Sequence, residues 1–390
     1  MKPVCIGTVG SGYAAYLHGN GYEKICKVPV RLKTICDVVE TKAQEVMERY
    51  GYEEVCTDYD KMLADPEIDV IDIVTPPFLH MDMIGKALKA GKHVICEKPL
   101  AGYFGKQEDA APIGKNVSKR EMYETVLGEL EELRKAVDSS DKKFFYAENF
   151  VYATPVQRAV EIIKGKKNKI LFMKGETSLK GSSSPVAGEW CKTGGGTLIR
   201  CGTHPLTGIL YLKQVEARAR GEEIVIQSVL ADTGTATRCL NEYEHRHIKA
   251  RPHDVEDFAN VTITFSDGTK AVVLSTDTVL GGTKDYIEIY CNDAVMNCNI
   301  TPSDLMNTYL LDEDGIEDLA LSEMLPSKLG WNKAFVSNEV IRGYTGELQN
   351  FMEAIASGED PVCGFDLAYQ SIRVLYAAYL SAAEGRRIDF

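Results

Sequence analysis

The feature that most constrains the fold is the stretch VCIGTVGSGYAA at residues 4–15, in which an apolar run is followed by the pattern G-x-G-x-x-A. In this pattern Gly10 permits a tight turn, Gly12 lets the backbone approach a pyrophosphate, and Ala15 keeps the following helix close to the strand. The helix begins at the turn, so its unpaired N–H groups face the phosphates. The stretch therefore predicts a dinucleotide-binding strand, turn and helix. Its predicted cofactor contacts are Gly10, Ser11, Gly12, Tyr13 and Ala14.

A carboxylate strengthens this prediction, because the glycine pattern alone is weakly specific. Asp37 ends the second strand-like run, Leu32–Cys36, where it can accept hydrogen bonds from the hydroxyls of the adenosine ribose. The same charge would repel the 2′-phosphate of NADP, so the preferred cofactor is predicted to be NAD. The alternative is that Asp37 caps a helix over Val38–Arg49, and we favour the ribose contact because of the glycine turn before it.

The first 150 residues alternate short apolar runs with helical patterns, which is typical of a parallel, doubly wound sheet. One helical segment, Phe78–Ala90, carries Met81, Ile84 and Leu88 at three- and four-residue spacing and is followed by a glycine. A Rossmann domain over residues 1–147 is therefore predicted. The runs interpreted as its strands are Val4–Val9, Leu32–Cys36, Val70–Val74, His93–Cys96 and Phe144–Ala147.

Further along the chain, strand-like runs show alternating patterns with turn signals between them. Ala259–Phe265 and Lys270–Ser275, separated by a turn that contains Ser-Asp-Gly, predict an antiparallel hairpin. Two helical patterns, Gly346–Ser357 and Asp366–Ala383, close the chain. We therefore expect a second, α+β domain over residues 148–390 with an open, mostly antiparallel sheet.

Two strand ends in the first domain carry residues suited to a ligand site. The segment DIVTPPFLH at residues 72–80 ends a strand in a Pro-Pro turn, and HVICEKPL at residues 93–100 ends another in Glu-Lys-Pro. Both ends lie at the carboxyl edge of the sheet, where open α/β sheets bind ligands. A lysine held there between a carboxylate and a proline is poorly placed to be a mere surface charge. The further cofactor contacts predicted here are Thr75, Pro76, His80, Glu97 and Lys98.

The composition of the chain argues against nucleic acid and anionic membranes as partners. The chain has 44 Lys and Arg against 57 Asp and Glu, and this net charge of −13 would repel nucleic acid and anionic membranes. No apolar stretch approaches the roughly 18–20 residues of a membrane span, and no secretory leader is apparent, so a cytoplasmic location is expected. The 11 cysteines form no C-x-x-C pair, which fits a reducing compartment and predicts no metal site.

One long irregular connection follows the second of these strand ends. Residues 103–119 read YFGKQEDAAPIGKNVSK, and loops longer than about 12–15 residues are usually functional or disordered. Because the stretch begins a few residues after Lys98, we expect it beside the substrate cleft or at a subunit contact. A passive surface insertion is the alternative that the sequence leaves open.

Together these residues give the chain a resemblance to the glucose-fructose oxidoreductase, inositol dehydrogenase and MocA family (Gfo/Idh/MocA). The resemblance covers nearly the whole chain, and AGKHVICEKPL is its most specific motif. It is carried by VGSGYAA, Asp37, VTPPFLH, AGKHVICEKPL, the glycine-rich stretch Gly194–His204, DYIEIYCNDA and the ending SAAEGRRIDF.

The resemblance implies a Rossmann domain, a nicotinamide cofactor, and a sugar, polyol or related alcohol as the small-molecule substrate. It implies that Lys98 is the acid–base residue and that His204 contacts the reacting hydroxyl. It also implies an open sheet domain that is often used for oligomer contacts, so a homo-oligomer, a dimer or tetramer assembled through the C-terminal sheet, is expected.

The chain departs from the family pattern four residues before His204, where many members have an aspartate and this chain has Arg200. The usual carboxylate further along is also missing, because Thr207 and Gly208 occupy that place. If Arg200 and His204 share a helix face, the guanidinium would favour the neutral form of Lys98 and offer two parallel donors to a substrate. The alternative is that Arg200 turns outward to a structural salt bridge.

Four further residues are predicted to contact the substrate. Asn149 and Tyr152 follow the last parallel strand and are expected to face the cleft, with core packing as the alternative for Tyr152. Trp190 and Lys192 precede the glycine run, where they are placed to cap a sugar ring by stacking and hydrogen bonding.

The chemistry follows from the cofactor and the base. Oxidation of a secondary alcohol needs a hydride acceptor, which NAD supplies, and a base for the hydroxyl proton. We expect a ring hydroxyl of a sugar or glycoside to become a ketone, with Lys98 and His204 handling the proton. Whether the ketone is the product or an intermediate in glycoside cleavage stays open.

Two alternatives remain. One is an inositol or open-chain polyol dehydrogenase. The other is a nonredox protein that keeps a cofactor fold for binding or regulation, and the intact Glu97-Lys98-Pro99 together with His204 argues against it.

Overall fold

The first part of the chain folds around a parallel sheet. A computed structural model describes residues 2–304, 306–310, 329–334 and 338–390. Six strands pair in the order β3-β2-β1-β4-β5-β6, and every neighbouring pair is parallel, which is the doubly wound topology predicted from the sequence. The strands are β1 (Val4–Val9), β2 (Val30–Cys36), β3 (Glu54–Cys56), β4 (Val70–Ile73), β5 (His93–Glu97) and β6 (Phe144–Ala147).

Amphipathic helices cover this sheet. In the longest of them, α6, the residues at positions 122, 126, 130 and 133 are buried, and this four- and three-residue spacing places them on one face. The side chain of Ser118 accepts a hydrogen bond from the backbone N–H of Glu121 and so caps the first turn of α6. The helices are α1 (Tyr13–Tyr22), α2 (Glu40–Tyr50), α3 (Tyr59–Leu63), α4 (His80–Lys89), α5 (Ile113–Asn116) and α6 (Lys119–Asp138).

A second, mixed sheet of seven strands follows. Its order is β12-β11-β7-β10-β9-β8-β15, in which β7 and β10 are parallel and every other neighbouring pair is antiparallel. A separate ribbon pairs β13 with β14. The strands are β7 (Ile170–Ser178), β8 (Ile226–Gly234), β9 (Phe258–Phe265), β10 (Lys270–Thr276), β11 (Lys284–Cys291), β12 (Val295–Asn299), β13 (Met306–Leu310), β14 (Gly330–Ala334) and β15 (Ile388–Asp389).

Helices pack on one face of the second sheet. Val261, Val273 and Ile287 point to this face and are fully buried, whereas Leu230 on β8 is 43% exposed. A π-helical turn at Leu198–Gly202 leads directly into α10. The helices are α7 (Asn149–Tyr152), α8 (Thr154–Lys166), α9 (Trp190–Thr193), α10 (Thr203–Arg220), α11 (Glu339–Arg342), α12 (Tyr344–Ser357) and α13 (Phe365–Glu384). Helices α8, α10 and α13 make the contacts with the sheet, and α7, α9, α11 and α12 pack mainly elsewhere.

The end of the chain returns to the first sheet. Helix α13 packs against α6 and β6 as well as against β8 and α10, and the N–H of Tyr146 on edge strand β6 donates to the carbonyl of Cys363 at 2.9 Å. The first sheet ends at Ala147, but its edge is completed by residues far along the chain. The division into domains at residues 147 and 148 therefore stays a prediction.

Within the described part of the chain, no helix combines the length and apolar character needed to cross a lipid bilayer. The same residues bring no group of three or more His, Cys, Asp or Glu side chains together as a metal site, and all 11 cysteines are free thiols.

Candidate active site

The glycine turn between β1 and α1 has the shape that a dinucleotide needs. Gly10 has a φ of +102°, and a Cβ atom there would lie 2.7 Å from the carbonyl oxygen of Val74, so only glycine fits. A Cβ atom at Gly12 would meet no protein atom within 4 Å, which leaves open space beside the N-terminus of α1. Ala15 is buried against Ile35 and Val74, as expected for close packing of helix and strand.

Asp37 holds this turn from the end of β2. One carboxylate oxygen accepts a hydrogen bond from the N–H of Ser11 at 2.8 Å, and the other accepts from the N–H of Val39 at the same distance. Val39 is the N-cap of helix α2, so the second bond ties Asp37 to the start of that helix, and the ribose contact stays a prediction beside the capping alternative. A half-buried carboxylate here retains lone pairs for ribose hydroxyls.

His80 joins two strand ends rather than facing the cofactor. It is fully buried, and its ring nitrogens lie 2.9 Å from the carbonyl oxygens of Thr75 and Pro99. Burial lowers the pKa of His80, although hydrogen bonds to both carbonyls favour its charged form. This corrects the expectation of a cofactor contact at His80, because a ring whose nitrogens are both engaged in the interior has none left for a ligand.

A buried ionic network lies next to Lys98, the predicted acid–base residue. The ring of His18 contacts the carboxylate of Asp72 at 2.9 Å through Nδ1 and that of Glu97 at 3.3 Å through Nε2. Although burial by itself lowers the pKa of His18, the two carboxylates raise it well above the usual value. The second oxygen of Glu97 accepts from the backbone N–H of Lys98, so Glu97 helps to position the lysine, and its contact with the cofactor stays a prediction.

Lys98 is hydrogen-bonded to the short segment at residues 200–204, which also carries His204. The Nζ atom of Lys98 donates to the carbonyl oxygen of Arg200 at 2.8 Å, in the π-helical turn four residues before His204. The Nδ1 atom of His204 lies 2.6 Å from a carboxylate oxygen of Glu148, and its ring stacks on Phe150 with 5.0 Å between centroids. The structure therefore brings the two predicted catalytic residues to one place.

The side chain of Arg200 turns away from Lys98. Its guanidinium forms an ion pair with the carboxylate of Asp277, so the partner charge offsets the positive charge that was expected to act on Lys98. Arg200 and Asp277 line a cavity of about 240 Å³. The loop Ser182–Ser184 and the cations Lys249 and Arg251 form other parts of its wall.

A buried carboxylate feels the charges of both predicted catalytic side chains. Asp285 is the second residue of β11 and is 7% exposed. Burial raises the pKa of Asp285, and the charges of Arg342, His204 and Lys98 act on it in the opposite direction. The aspartate that the family pattern places at position 200 is missing, but a carboxylate reaches this region from another strand.

The sequence matches two family models. Residues 4–122 match the NAD-binding Rossmann fold of an oxidoreductase family, and residues 169–390 match the C-terminal alpha/beta domain of the same family. The chain belongs to the Gfo/Idh/MocA oxidoreductase family. NAD is the cofactor of this Gfo/Idh/MocA protein, and the turn at Gly10 with Asp37 beside it fits that molecule.

Curated relatives share parts of the chain. The protein is 36% identical over 108 residues to the levoglucosan dehydrogenase of Pseudarthrobacter phenanthrenivorans, which is 26% of this chain and 27% of that enzyme. It is 28% identical over 209 residues to the scyllo-inositol 2-dehydrogenase (NAD(+)) of Bacillus subtilis, which is 53% of each chain. These matches thus span from about a quarter to about half of the relatives.

Solved structures share the whole fold. GenD2 from gentamicin A biosynthesis, in complex with NAD, has a TM-score of 0.77 at 22% identity and covers 100% of this chain and 97% of that one. The Lactobacillus casei scyllo-inositol dehydrogenase with bound NAD(H) and scyllo-inositol has a TM-score of 0.72 at 18% identity, with coverage of 100% of this chain and 99% of that one. At these identities the likeness shows the Gfo/Idh/MocA fold alone.

Three residues that were predicted to contact the substrate are buried in the protein interior: Tyr152, Trp190 and Asn149. Tyr152 is 7% exposed, and its hydroxyl contacts Asn350 and accepts from the N–H of Cys363, so the core-packing alternative is correct. Trp190 is 2% exposed and packs on Tyr379.

Asn149 is 3% exposed and donates to the carbonyl of Arg342. None of these three side chains can meet a sugar in this arrangement, because neighbouring protein groups already cover them. Lys192 is exposed and stays a predicted contact.

The connection at residues 103–119 is packed between the two halves of the chain. The Tyr103 side chain is buried with its hydroxyl on Asp109, and the N–H of Gly114 donates to Asp254 at 2.9 Å. The Lys119 ammonium lies 4.0 Å from the ring centroid of Trp190. It is therefore not a loose surface insertion, and its predicted influence on the cleft or on assembly stays a prediction.

Four side chains that act on the predicted site residues were not identified from the sequence. Glu148 directly follows the last parallel strand, and the same strand-end signal that indicated Lys98 could have found it. No local signal marks His18, Asp277 or Asp285, because each acts on a residue more than 70 positions away.

Proposed function

We propose that the protein oxidises a ring hydroxyl of a sugar or glycoside to a ketone. The hydride goes to the nicotinamide of NAD, and the single hydroxyl proton goes to one base of the pair Lys98 and His204. The observation that carries the proposal is the shared anchoring of these two side chains: Lys98 donates to the carbonyl of Arg200, and His204 follows four residues later with its ring fixed by Glu148. An acid–base pair held in this way is what alcohol oxidation requires.

The bound cofactor supplies the hydride acceptor, and the protein handles the proton. A carboxylate only accepts hydrogen bonds, so Nδ1 of His204 carries the hydrogen that faces Glu148. The other ring nitrogen, Nε2, is then free to accept a proton. Stacking on Phe150 fixes the ring plane, so Nε2 has one direction in which to act.

The walls of the cavity lined by Arg200 and Asp277 suit a hydroxyl-rich molecule, and its link to the proposed acid–base pair is Arg200, whose carbonyl accepts from Lys98. A guanidinium donates and a carboxylate accepts, so together they suit adjacent hydroxyl groups, and the loop Ser182–Ser184 adds hydroxyls to the wall. We propose Arg200, Lys192 and Asp285 as substrate contacts. Arg200 and Lys192 follow from the sequence, and Asp285 follows from the charges of both catalytic residues that act on it.

An inositol or open-chain polyol dehydrogenase is the second candidate. It is favoured by the match to a scyllo-inositol 2-dehydrogenase over 53% of the chain. A screen of NADH absorbance against sugars, glycosides, inositols and open-chain polyols separates the two, because each candidate predicts its own class of best substrate. Turnover is expected to disappear in Lys98→Met, and an NAD titration of the variant measures the predicted contact of Lys98 with the cofactor separately. Absence of turnover with every member of the panel would favour a nonredox role.

We also propose a homo-oligomer and a cytoplasmic location. The face of the second sheet opposite α10 exposes Leu230 and carries the stacked rings of Phe172 and Tyr290, a surface suited to a second copy of the chain. Eleven free thiols fit a reducing compartment. Sedimentation of the purified protein tests the first proposal, and cell fractionation tests the second.

A further inference from the structure

Arg342 is carried to the cofactor turn by a short helix that is tied to α1. The carboxylate of Glu339, at the start of α11, accepts hydrogen bonds from Asn20 at 3.2 Å and from Lys24 at 2.9 Å. Both donors belong to α1 or its C-terminal end, and α1 is the helix whose N-terminus faces the cofactor phosphates. The end of α11 therefore has a fixed position relative to the glycine turn.

The backbone at Arg342 is also held from the other side. Its carbonyl oxygen accepts from the side chain of Asn149 at 2.8 Å. The next residue, Gly343, has a φ of +103°, and a Cβ atom there would lie 2.0 Å from the carbonyl oxygen of Asn149. Only glycine allows this contact, so the chain leaves α11 in one direction and the Arg342 side chain starts from a fixed point.

The guanidinium of Arg342 lies beside the first residue of α1. It is hydrogen-bonded to the hydroxyl of Tyr13 and is close enough to Asp285 to interact with its charge. The ring of Tyr344 lies 5.3 Å from the guanidinium carbon. Its Nη1 atom is buried and has no hydrogen-bond partner among the residues that the structure describes.

Asp285 acts on the charge of Arg342, but the N-terminus of α1 and the Nη1 donor of Arg342 both remain available to an anion. The N-terminus of a helix carries partial positive charge, and α1 has no side-chain cap at that end. An arginine is always charged, and a buried guanidinium N–H without a partner is costly. A phosphate group placed between the two would satisfy both the helix end and the unused donor.

We propose that Arg342 donates from Nη1 to the pyrophosphate of bound NAD, opposite the glycine turn. The residue reaches the cofactor from the second half of the chain, whereas the turn at Gly12 approaches it from the first. Cofactor binding would thus close the cleft between them by an ionic contact. The proposal rests on NAD binding and not on the identity of the substrate.

Binding of three ligands to the full-length protein tests the proposal by calorimetry. NAD and ADP-ribose contain the pyrophosphate, and adenosine lacks it. Arg342→Gln is expected to weaken NAD and ADP-ribose by tenfold or more and to leave adenosine unchanged. Arg246→Gln is a matched control, because Arg246 lies in a distant exposed turn where it stacks on Tyr243.

A second variant keeps the proposal testable if Arg342→Gln does not fold. Arg342→Met keeps the aliphatic stem beside Tyr344 and removes the charge, and it is expected to weaken the same two ligands. Either variant decides the question if circular dichroism shows it to be folded. Wild-type affinity of a folded variant for ADP-ribose overturns the proposal, and so does a loss confined to NAD, which would place Arg342 at the nicotinamide instead.

Discussion

Glu148 and His204 lie 56 residues apart in the sequence, yet a carboxylate oxygen of one is 2.6 Å from Nδ1 of the other. The Glu148 side chain is completely buried, and the histidine side chain keeps 14% of its surface exposed. The carboxylate therefore fixes the ring and its hydrogen from the interior, while the far side of the ring remains available.

Replacing Glu148 by glutamine should lower kcat by about 10²-fold, because an amide can hold the ring but cannot stabilise positive charge on it during proton transfer. The affinity for NAD should remain, since Glu148 does not touch the glycine turn. Steady-state kinetics with the best substrate and a separate NAD titration measure the two effects. Glu161→Gln, at an exposed ion pair, serves as the control. An unchanged kcat would mean that the ring needs no anionic partner.

Gly10 and Gly12 form a matched pair for the cofactor turn. Alanine at position 10 meets the Val74 carbonyl at 2.7 Å and requires a positive φ, so Gly10→Ala should lower the free energy of unfolding by about 1–3 kcal/mol or more. Alanine at position 12 meets no protein atom, and its backbone is extended, so Gly12→Ala should keep full stability and lose NAD affinity. Urea unfolding and NAD titration of both variants check this, and equal stability loss in the two would contradict it.

Asp37 is predicted to set the preference for NAD over NADP. Asp37→Ser should weaken NAD by about 10- to 100-fold, corresponding to the loss of a charged hydrogen bond of about 1.5–3 kcal/mol. Binding of NADP should improve in the same variant, because the repulsion of its 2′-phosphate is gone. Fluorescence titration with both cofactors measures the ratio. A wild-type protein that binds NADP as tightly as NAD would refute the ribose contact.

Glu347 should make the protein less stable as the pH rises. Both of its carboxylate oxygens are buried without a hydrogen-bond partner in the described part of the chain, and burial raises the pKa of Glu347 well above its usual value of 4.5. Between the unfolded and folded pKa values the folded state binds more protons, so the free energy of unfolding falls as pH increases.

Glu347→Gln should therefore match the wild type near pH 5 and exceed its stability at pH 8. Urea unfolding at several pH values between these limits gives the slope for each protein. Parallel curves would show that Glu347 is ionised in the folded state. Glu353→Gln, on the same helix but in an exposed ion pair, provides the comparison.

A single and a double variant separate the structural role of the Arg200–Asp277 ion pair from a role in substrate binding. Arg200→Met leaves Asp277 buried and unpaired, which should cost about 3–5 kcal/mol of stability. The double variant Arg200→Met, Asp277→Leu removes both charges and should recover most of that loss. If Arg200 also binds substrate, KM stays raised in the double variant. A fully restored KM would leave the pair a structural one.

Turns, strand ends and hairpins of this chain were predictable because each is determined by neighbouring residues in the sequence. The turn at Gly10, the strand end at Lys98 and the hairpin of β9 and β10 each depend on a few consecutive residues, and the structure confirms these elements. The short strand β3 was missed, since three residues carry too little pattern.

Side-chain direction was harder to predict than position. His80 was correctly placed near the ligand edge, but its ring turns inward to two carbonyl groups. Trp190 precedes the glycine run as predicted, yet its indole packs on Tyr379. Arg200 pairs with Asp277, which lies 77 residues further along the chain. Such choices depend on partners that tertiary packing supplies, and no spacing rule along the chain encodes them.

The late hydrogen bond to edge strand β6 has a consequence for biosynthesis. Tyr146 receives its outer partner, Cys363, only after 217 more residues have been made, which takes roughly 10 to 40 s at ribosomal rates of about 5–20 residues per second. During that interval the nascent first sheet presents an unpaired edge, the kind of surface through which chains aggregate. Chaperone demand during translation should therefore be highest in this interval and fall once the C-terminal helices have emerged.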